Sequence, residues 1–337
     1  MVATRRVVEE LNNALHQLFA THDRLFLLGE DIADPYGGAF RVTHGLSTAY
    51  PDRVISTPIS EGAIAGAAAG LALCGDRVLV EVMFGDFITL CFDAVVNFIS
   101  KSVTMYGQEI PMRVIIRCPV GGNRGYGATH SQNLQKHLLG VPNLALYELS
   151  AFHEPGAVLK RAFDRGLPAV FFEDKTLYTK PAHLDGEIDH LFHAAPVGTD
   201  GNWMRISMDA AKPTDRVAIA PGGVAPRALA AMRAALIEDE LTCALLVPSR
   251  LYPLDLEPVL PILSAAGRVV VIEDGVAGGG WCAEVAHTVH NLSWHTLRQP
   301  VRIVQPPCAV IPAAPHLERQ VLVQDSDIYA ALTEVSR

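Results

Sequence analysis

Apolar residues recur along the chain at helical and strand-like spacings, and the two kinds of segment alternate. An amphipathic helix is predicted first, with Val7, Leu11, Leu15 and Leu18 on one face. Further strands are predicted at residues 25–28, 53–57, 77–84, 112–118, 144–149 and 169–173, and helices at 60–74, 87–106 and 155–165. Strands separated by helices predict crossover connections, and therefore a parallel sheet with helices on both faces.

A second series of strands and helices follows a segment of residues 175–213 in which the periodicity fails. Its predicted strands are 217–220, 243–247, 268–273 and 301–304, and its predicted helices are 226–240 and 281–290. The sequence therefore predicts an α/β protein of two domains, residues 1–190 and residues 211–337, joined by a linker at residues 191–210.

The composition is that of a globular protein, because 50% of the residues are hydrophobic and the mean hydropathy is +0.23. A net charge of −9 without a basic cluster argues against a nucleic-acid partner. The six cysteines have no metal-binding spacing, which favours reduced thiols and a cytoplasmic location. No cleaved leader is expected, and the small-apolar run at residues 62–74 is too short to span a membrane.

The glycine run at residues 278–280 lies between a predicted strand and a predicted helix, as in dinucleotide-binding folds. The G-x-G-x-x-G spacing is not met, however, and Glu273 and Asp274 would place negative charge where a pyrophosphate should bind. We therefore interpret the run as a strand-to-helix turn. The sequence also lacks the signatures of P-loop nucleotide sites, zinc proteases and serine hydrolases.

Two residues are candidates for chemistry. Glu61 follows Ser60, a candidate N-cap, at the start of a helix so rich in Gly and Ala that close packing is expected; a first-turn Glu usually only complements the helix dipole. His130 follows a Gly-rich loop at residues 121–127 and precedes a predicted short helix. Loops of this kind often carry function, but a single loop histidine is more often not catalytic.

Seven short blocks, in this order along nearly the whole chain, resemble the beta subunit of the thiamine-diphosphate-dependent component of 2-oxo acid dehydrogenases. That family includes the pyruvate, branched-chain 2-oxo acid and acetoin systems. No single block would suffice, but seven in order are hard to obtain by chance. The blocks are LGED at 28–31, GGAFRVT at 37–43, TPISE at 57–61, VEVMFGDF at 80–87, HSQ at 130–132, FFEDKTLY at 171–178 and YPLD at 252–255.

The resemblance implies a transketolase-like pyrimidine-binding domain followed by a transketolase C-terminal domain. It further implies that Glu61 hydrogen-bonds the aminopyrimidine of thiamine diphosphate, that Phe84 stacks on this ring, and that Glu30 and Ile59 help to form the cofactor site. His130 is expected to contact the substrate carboxylate or to shuttle a proton during acyl transfer. Its loop would line the channel used by the substrate or by a lipoyl arm.

The superfamily's motif for Mg2+ and diphosphate, G-D-G followed by Asn, is broken at residues 75–77 and 85–87. Hard oxygen ligands are needed to hold this ion against the phosphates. The resemblance therefore implies an alpha subunit that supplies the metal and diphosphate site, in an alpha2beta2 tetramer, with no metal ligand expected in this chain. Because the chain has no lipoyl-bearing segment, the acyl acceptor would be a lipoyl-bearing acyltransferase or a small molecule.

Two positions depart from the family pattern. Gly140 stands where a second histidine often follows the HSQ block, and Thr89 stands where related members often carry Tyr. Three functions therefore remain open at this point: a subunit of a 2-oxo acid dehydrogenase, a subunit of a thiamine-diphosphate-dependent carboligase with a small-molecule acceptor, and a non-catalytic partner that only assembles.

Overall fold

A computed structural model of the protein describes residues 5–334. The chain divides into two compact units. The first contains the chain up to Val120, Leu138–Leu149 and His153–Ala182, and the second contains Gly121–His137, Ser150–Phe152 and the chain from His183 onward. In the part of the chain that is described, no helix combines the length and the apolar character needed to cross a bilayer.

Parallel strands flanked by helices make up the first unit. Its strands are β1 (Leu25–Gly29), β2 (Val54–Ser56), β3 (Arg77–Glu81), β4 (Val114–Val120), β5 (Ala145–Glu148) and β6 (Ala169–Asp174), and its α-helices are α1 (Val7–Thr21), α2 (Leu46–Ala49), α3 (Glu61–Leu73), α4 (Ser100–Ser102) and α5 (Pro155–Asp164). The strands follow the order β5-β6-β4-β3-β1-β2, and every pair is parallel. Their carboxyl ends therefore lie at one edge, where α/β proteins place ligands.

The single helix predicted at residues 87–106 is wrong in detail. The structure has a 3-10 helix at Gly85–Cys91, a π-helix at Ala94–Ile99 and then the short α4. Apolar periodicity does not separate these forms, because each places every third to fifth residue on one face. A further 3-10 helix spans Leu177–Thr179.

Most strands of the second unit are also parallel. They are β7 (His193–Val197), β8 (Trp203–Ser207), β9 (Arg216–Ile219), β10 (Cys243–Pro248), β11 (Arg250–Tyr252), β12 (Val269–Ile272) and β13 (Arg302–Val304). The helices are α6 (Ala225–Asp239), α7 (Leu260–Ala266), α8 (Trp281–Ser293), α9 (Pro315–Val321) and α10 (Asp325–Thr333), with 3-10 turns at Gln135–His137 and Glu257–Val259. One sheet has the order β13-β12-β9-β10-β8-β7, and its core packs against α6 and α10.

The segment expected to be an irregular linker, residues 191–210, instead contains β7 and β8. These strands pair antiparallel with each other, and β8 pairs antiparallel with β10. Pro196 obscured the strand pattern because proline is unfavourable inside a sheet. It is tolerated here because β7 is the edge strand of this sheet.

Candidate functional site

Two buried carboxylates lie at the carboxyl edge of the first unit's sheet. Glu30 directly follows β1 and is 6% exposed, whereas Glu61 is the first residue of α3 and is 7% exposed. The backbone N–H of Ser60 donates a hydrogen bond to the carboxylate of Glu30. Within residues 5–334, the buried Oε1 of Glu30 has no hydrogen-bond partner. It therefore offers an acceptor to a donor on a ligand.

The surroundings of Glu30 raise the pKa of its carboxyl. Burial raises the pKa of Glu30, the nearby charge of Glu61 raises it further, and Asp31 adds to this. The hydrogen bond from Ser60 acts in the opposite direction. Because a second negative charge in a poorly solvated place disfavours ionisation, Glu30 retains a proton more readily than an exposed carboxyl does. Such a pair suits general acid–base chemistry.

The start of α3 agrees only in part with the prediction from the sequence. Ser60 is at the N-cap position, as predicted, but its side chain makes no capping hydrogen bond. A Cβ at Gly62 would lie 3.3 Å from the carbonyl oxygen of Leu90, so this turn packs as closely as the glycine content suggested. Farther along the helix, a Cβ at Gly66 or Gly70 would have no neighbouring atom within 4 Å.

The side chain of Phe84 is held among other aromatic rings. It is half-buried and meets Phe40 edge-on, with the ring centroids 5.7 Å apart, and Phe87 at 5.9 Å. The ammonium of buried Lys175 lies 5.6 Å from the centroid of the Phe84 ring. Ile59, just before α3, is 81% exposed. A fixed aromatic ring and an uncovered apolar side chain suit the stacking of a flat heterocycle.

A buried ion cluster ties together the strands that lead to Phe84. Arg117 of β4 is fully buried and donates to both carboxylate oxygens of Glu173 at 2.7 and 2.8 Å, and to Glu81 at 2.6 Å. The hydroxyl of Tyr178 donates to Glu173 at 2.6 Å. These contacts join β3, β4 and β6 close to their carboxyl ends.

The charges of this cluster depend on one another. Burial acts to lower the pKa of Arg117, but Glu173 and Glu81 more than compensate and raise it. Burial raises the pKa of Glu81, which Arg117 counteracts. Glu81 and Glu173 stand in two of the seven sequence blocks, whereas Arg117 lies outside all of them. In the sequence, the sign of this buried ion cluster is a single arginine within the otherwise apolar strand at residues 114–120.

His130 belongs to the second unit. It is half-buried, and its Nδ1 lies 2.9 Å from the hydroxyl of Thr129. The short helix predicted after Ser131 is a single 3-10 turn at Gln135–His137. Lys136, in that turn, donates to the backbone carbonyls of Val276 and Gly278 at 3.1 and 3.4 Å.

The glycine run at residues 278–280 is a strand-to-helix turn in the structure. Glu273, just after β12, accepts hydrogen bonds from the backbone N–H groups of Trp281 and Cys282 at 3.2 and 3.1 Å. A Cβ at Gly280 would lie 2.2 Å from the carboxylate of Glu273. The anion position at the start of α8 is thus filled by a side chain of the same protein, which leaves no place there for a pyrophosphate.

Stability should depend on the protonation of Glu273. Burial raises its pKa to about 7 from the ordinary 4.5, against the opposing hydrogen bonds from Cys282 and Trp281. The folded state therefore binds this proton more tightly than the unfolded state, and the resulting stabilisation is present below pH 4.5 and lost as the pH rises towards 7. We expect the free energy of unfolding, relative to that of Glu273→Gln, to fall by about 2–3 kcal/mol between pH 5 and pH 8.

Urea titrations of the two proteins at several pH values measure this difference. Glu284→Gln, at an exposed residue of the same helix, is the matched control and should show no such pH dependence relative to the wild type. Parallel pH profiles for wild type and Glu273→Gln would contradict the prediction.

The two departures from the family pattern have distinct structural settings. Gly140 has a φ of +76°, and a Cβ there would have no atom within 4 Å. Thr89 is exposed, and its hydroxyl donates to the carbonyl of Asp86 at 2.9 Å. Across residues 5–334, no group of three or more His, Cys, Asp and Glu side chains is arranged to hold a metal ion.

Two known domain families match successive parts of the chain. Residues 2–181 match the transketolase pyrimidine binding domain, and residues 210–328 match the transketolase C-terminal domain. The chain is 31% identical to the acetoin:2,6-dichlorophenolindophenol oxidoreductase subunit beta of Cupriavidus necator, over 95% of this chain and 94% of that protein. The chain belongs to the family of thiamine-diphosphate-dependent 2-oxo acid dehydrogenase beta subunits.

Other beta subunits of this family match over the same length. The pyruvate dehydrogenase E1 component subunit beta of Rickettsia bellii is 28% identical, and the 2-oxoisovalerate dehydrogenase subunit beta of Bacillus subtilis is 26% identical, each over 98% of both chains. A solved structure titled split gene transketolase, inactive beta4 tetramer, has a TM-score of 0.72 at 20% identity over 97% of both chains, which shows the shared fold. The resemblance, the two-unit α/β fold and the dependence of the family on thiamine diphosphate are thereby confirmed.

Proposed function

We propose that this beta subunit decarboxylates a 2-oxo acid and passes the acyl group to a lipoyl carrier. The proposal depends chiefly on the buried pair Glu30 and Glu61, in which one oxygen of Glu30 is an unused acceptor; exposed Ile59 and the fixed ring of Phe84 add to it. These residues suit an aminopyrimidine, which carries N–H donors and a flat apolar face. Thiamine diphosphate, when bound, supplies a carbon nucleophile and an electron sink for decarboxylation.

Each residue of the cluster has a distinct task in this proposal. Glu61 would hydrogen-bond a ring nitrogen of the aminopyrimidine and would so favour protonation of that ring. Glu30, whose pKa is raised by burial and by the charge of Glu61, would hold a proton near Glu61. Phe84 would stack on the ring, and Ile59 would cover its apolar edge.

His130 acts on the substrate side of the reaction. We assign it to the substrate carboxylate or to proton transfer during acyl transfer. The ring nitrogens of an imidazole can donate a hydrogen bond to a carboxylate or carry a proton, which suits both tasks. The contact between Nδ1 and Thr129 restricts the orientation of the ring.

We further propose that an alpha subunit supplies the Mg2+ and diphosphate site in an alpha2beta2 tetramer. The relatives are named as beta subunits, and the carboxylates described above serve the pyrimidine end of the cofactor rather than a cation. A lipoyl-bearing acyltransferase is the proposed acceptor. The cysteines are free thiols, which supports a reducing compartment, the cytoplasm.

A carboligase with a small-molecule acceptor is the second candidate. The observation that favours it is Gly140, whose left-handed backbone and open surroundings replace an imidazole that the family often places here. A site with one histidine fewer has lost one means of guiding an acyl acceptor.

The deciding experiment uses this chain alone and co-expressed with its alpha-type subunit. Calorimetry should show binding of thiamine diphosphate and Mg2+ by the pair and not by the beta chain. The pair should then release CO2 from a 2-oxo acid and acylate an added lipoyl domain. Tight binding by the lone chain would contradict the shared site. Turnover that ignores the lipoyl domain and forms a new C–C bond would favour the carboligase, and an assembled but inactive pair would favour a non-catalytic role.

A further inference from the structure

The Gly-rich loop that precedes His130 has an unusual backbone. Gly121, Asn123, Gly125 and Gly127 all have positive φ values, between +63° and +87°. Alternation of left-handed residues with others turns successive backbone N–H groups towards one point, which creates an anion-binding concavity. In many proteins such a concavity holds a phosphate.

Here the concavity is filled by a carboxylate of the same unit. Glu318, in α9, is 2% exposed. One of its oxygens accepts the N–H of Asn123 at 2.8 Å, and the other accepts the N–H of Gly125 at 3.1 Å. Hydrogen bonds to an ionised carboxylate are stronger than those between neutral groups. The loop is therefore anchored to α9 and not available to a phosphate.

The neighbouring backbone fits closely around this anchor. A Cβ at Gly122 would lie 2.5 Å from the side chain of Leu322 and 3.0 Å from Glu318. A Cβ at Gly125 or Gly127 would lie 3.2 or 3.3 Å from Ala313. The segment around α9 thus forms a seat into which the glycines of the loop fit.

Two backbone hydrogen bonds of the loop are longer. The N–H of Gly121 reaches the carbonyl of Gln132 at 3.4 Å, and the N–H of His130 reaches the carbonyl of Gly127 at 3.4 Å. Both distances are at the long end of the hydrogen-bond range. Among these bonds, the two to Glu318 are the shorter and the only ones to a charged acceptor.

We infer that Glu318 is a positioning residue for His130, which it holds in place through the Gly-rich loop. This inference rests on the proposed function, because it gives His130 a task in substrate use or acyl transfer. Glu318 does not itself touch the reacting atoms. Loss of the anchor lets the imidazole shift, and a shift of about 1 Å in a catalytic group can cost up to roughly a hundredfold in rate.

Glu318→Gln is the test substitution because it preserves size while removing the charge. Its amide NH2 cannot accept a hydrogen bond, so one of the two loop N–H groups loses its partner. In the complex with the alpha subunit, we expect kcat/KM for the 2-oxo acid or for lipoyl acylation to fall by about ten- to a hundredfold. The affinity for thiamine diphosphate should not change. Amide hydrogen exchange in the loop peptide containing Asn123 and Gly125 should accelerate.

Two comparisons separate positioning from general destabilisation. Glu154→Gln is the matched control, since Glu154 also accepts one backbone N–H on each carboxylate oxygen, those of Gly156 and Ala157, at 2.7 and 2.5 Å. It should leave kcat/KM unchanged. In a His130→Ala background, Glu318→Gln should cause little further loss, because residues that act through one another are not additive.

An additive loss in the double variant, or an equal loss of kcat/KM in Glu154→Gln, would overturn the inference. If the wild-type complex does not turn over a 2-oxo acid, that result would instead overturn the proposed function. In that case loop exchange still tests the anchor, and unchanged exchange in Glu318→Gln would overturn it too.

Discussion

Glu61→Gln is expected to slow hydrogen–deuterium exchange at the reactive thiazolium carbon of bound thiamine diphosphate by at least about 100-fold, the usual scale of general acid–base catalysis. A glutamine keeps the size of the side chain and its place in the first turn of α3, but it cannot lend a proton to the pyrimidine ring. Folding and assembly with the alpha subunit should persist. NMR after rapid quenching measures the exchange rate directly.

A matched control tests the simpler interpretation, in which Glu61 only complements the helix dipole. Glu154 caps α5 in the same unit and accepts the N–H groups of Gly156 and Ala157 at 2.7 and 2.5 Å. Glu154→Gln should therefore reproduce the loss of negative charge at a helix start, with a normal exchange rate. Equal rates in wild type and Glu61→Gln would remove Glu61 from the proposed chemistry.

Arg117→Met should lower the free energy of unfolding by about 3–5 kcal/mol, the usual cost of removing one partner from a buried ion pair. The substitution leaves the carboxylates of Glu81 and Glu173 buried beside each other without a cation. Their negative charges are then uncompensated, and the contacts that join β3, β4 and β6 are weakened. Urea unfolding, followed by circular dichroism, measures the effect.

The control for this prediction is Arg24→Met, which breaks an ion pair of similar length whose arginine is exposed. Arg24 lies 2.7 Å from Asp76, but 64% of its side chain is exposed, so solvent screens the pair and the loss should be much smaller than for Arg117→Met. Adding Glu81→Gln and Glu173→Gln to Arg117→Met should recover part of the lost stability, because the uncompensated charges are then gone. Equal unfolding midpoints for Arg117→Met and Arg24→Met would refute the argument.

Local pattern was sufficient to predict most of the fold. Runs such as residues 25–28 and 243–247 are apolar on both faces, which parallel strands between layers of helices require. Prediction from local pattern failed where a proline interrupted a strand and where two kinds of helix share the same apolar spacing. Pro196 concealed an edge strand, and the π-helix at Ala94–Ile99 has the same apolar spacing as an α-helix.

Local pattern also indicated only some of the residues of the candidate site. Glu61 and His130 became candidates because they stand in contiguous motifs that the family shares. The sequence did not point to Arg117 and Glu318, because their contacts are made only in the tertiary structure. The carboxylate of Glu318 binds a loop residue 195 positions away in the sequence, and no local pattern records such a contact.

Gly140 also bears on how this enzyme subunit could change over generations. A histidine placed at this position would have to adopt a left-handed backbone, at a cost of about 1–2 kcal/mol, although the space around it is open. The gain of a histidine here by a change of one codon is therefore disfavoured unless the surrounding turn changes as well. A second imidazole would be gained more easily at a position whose backbone is not left-handed.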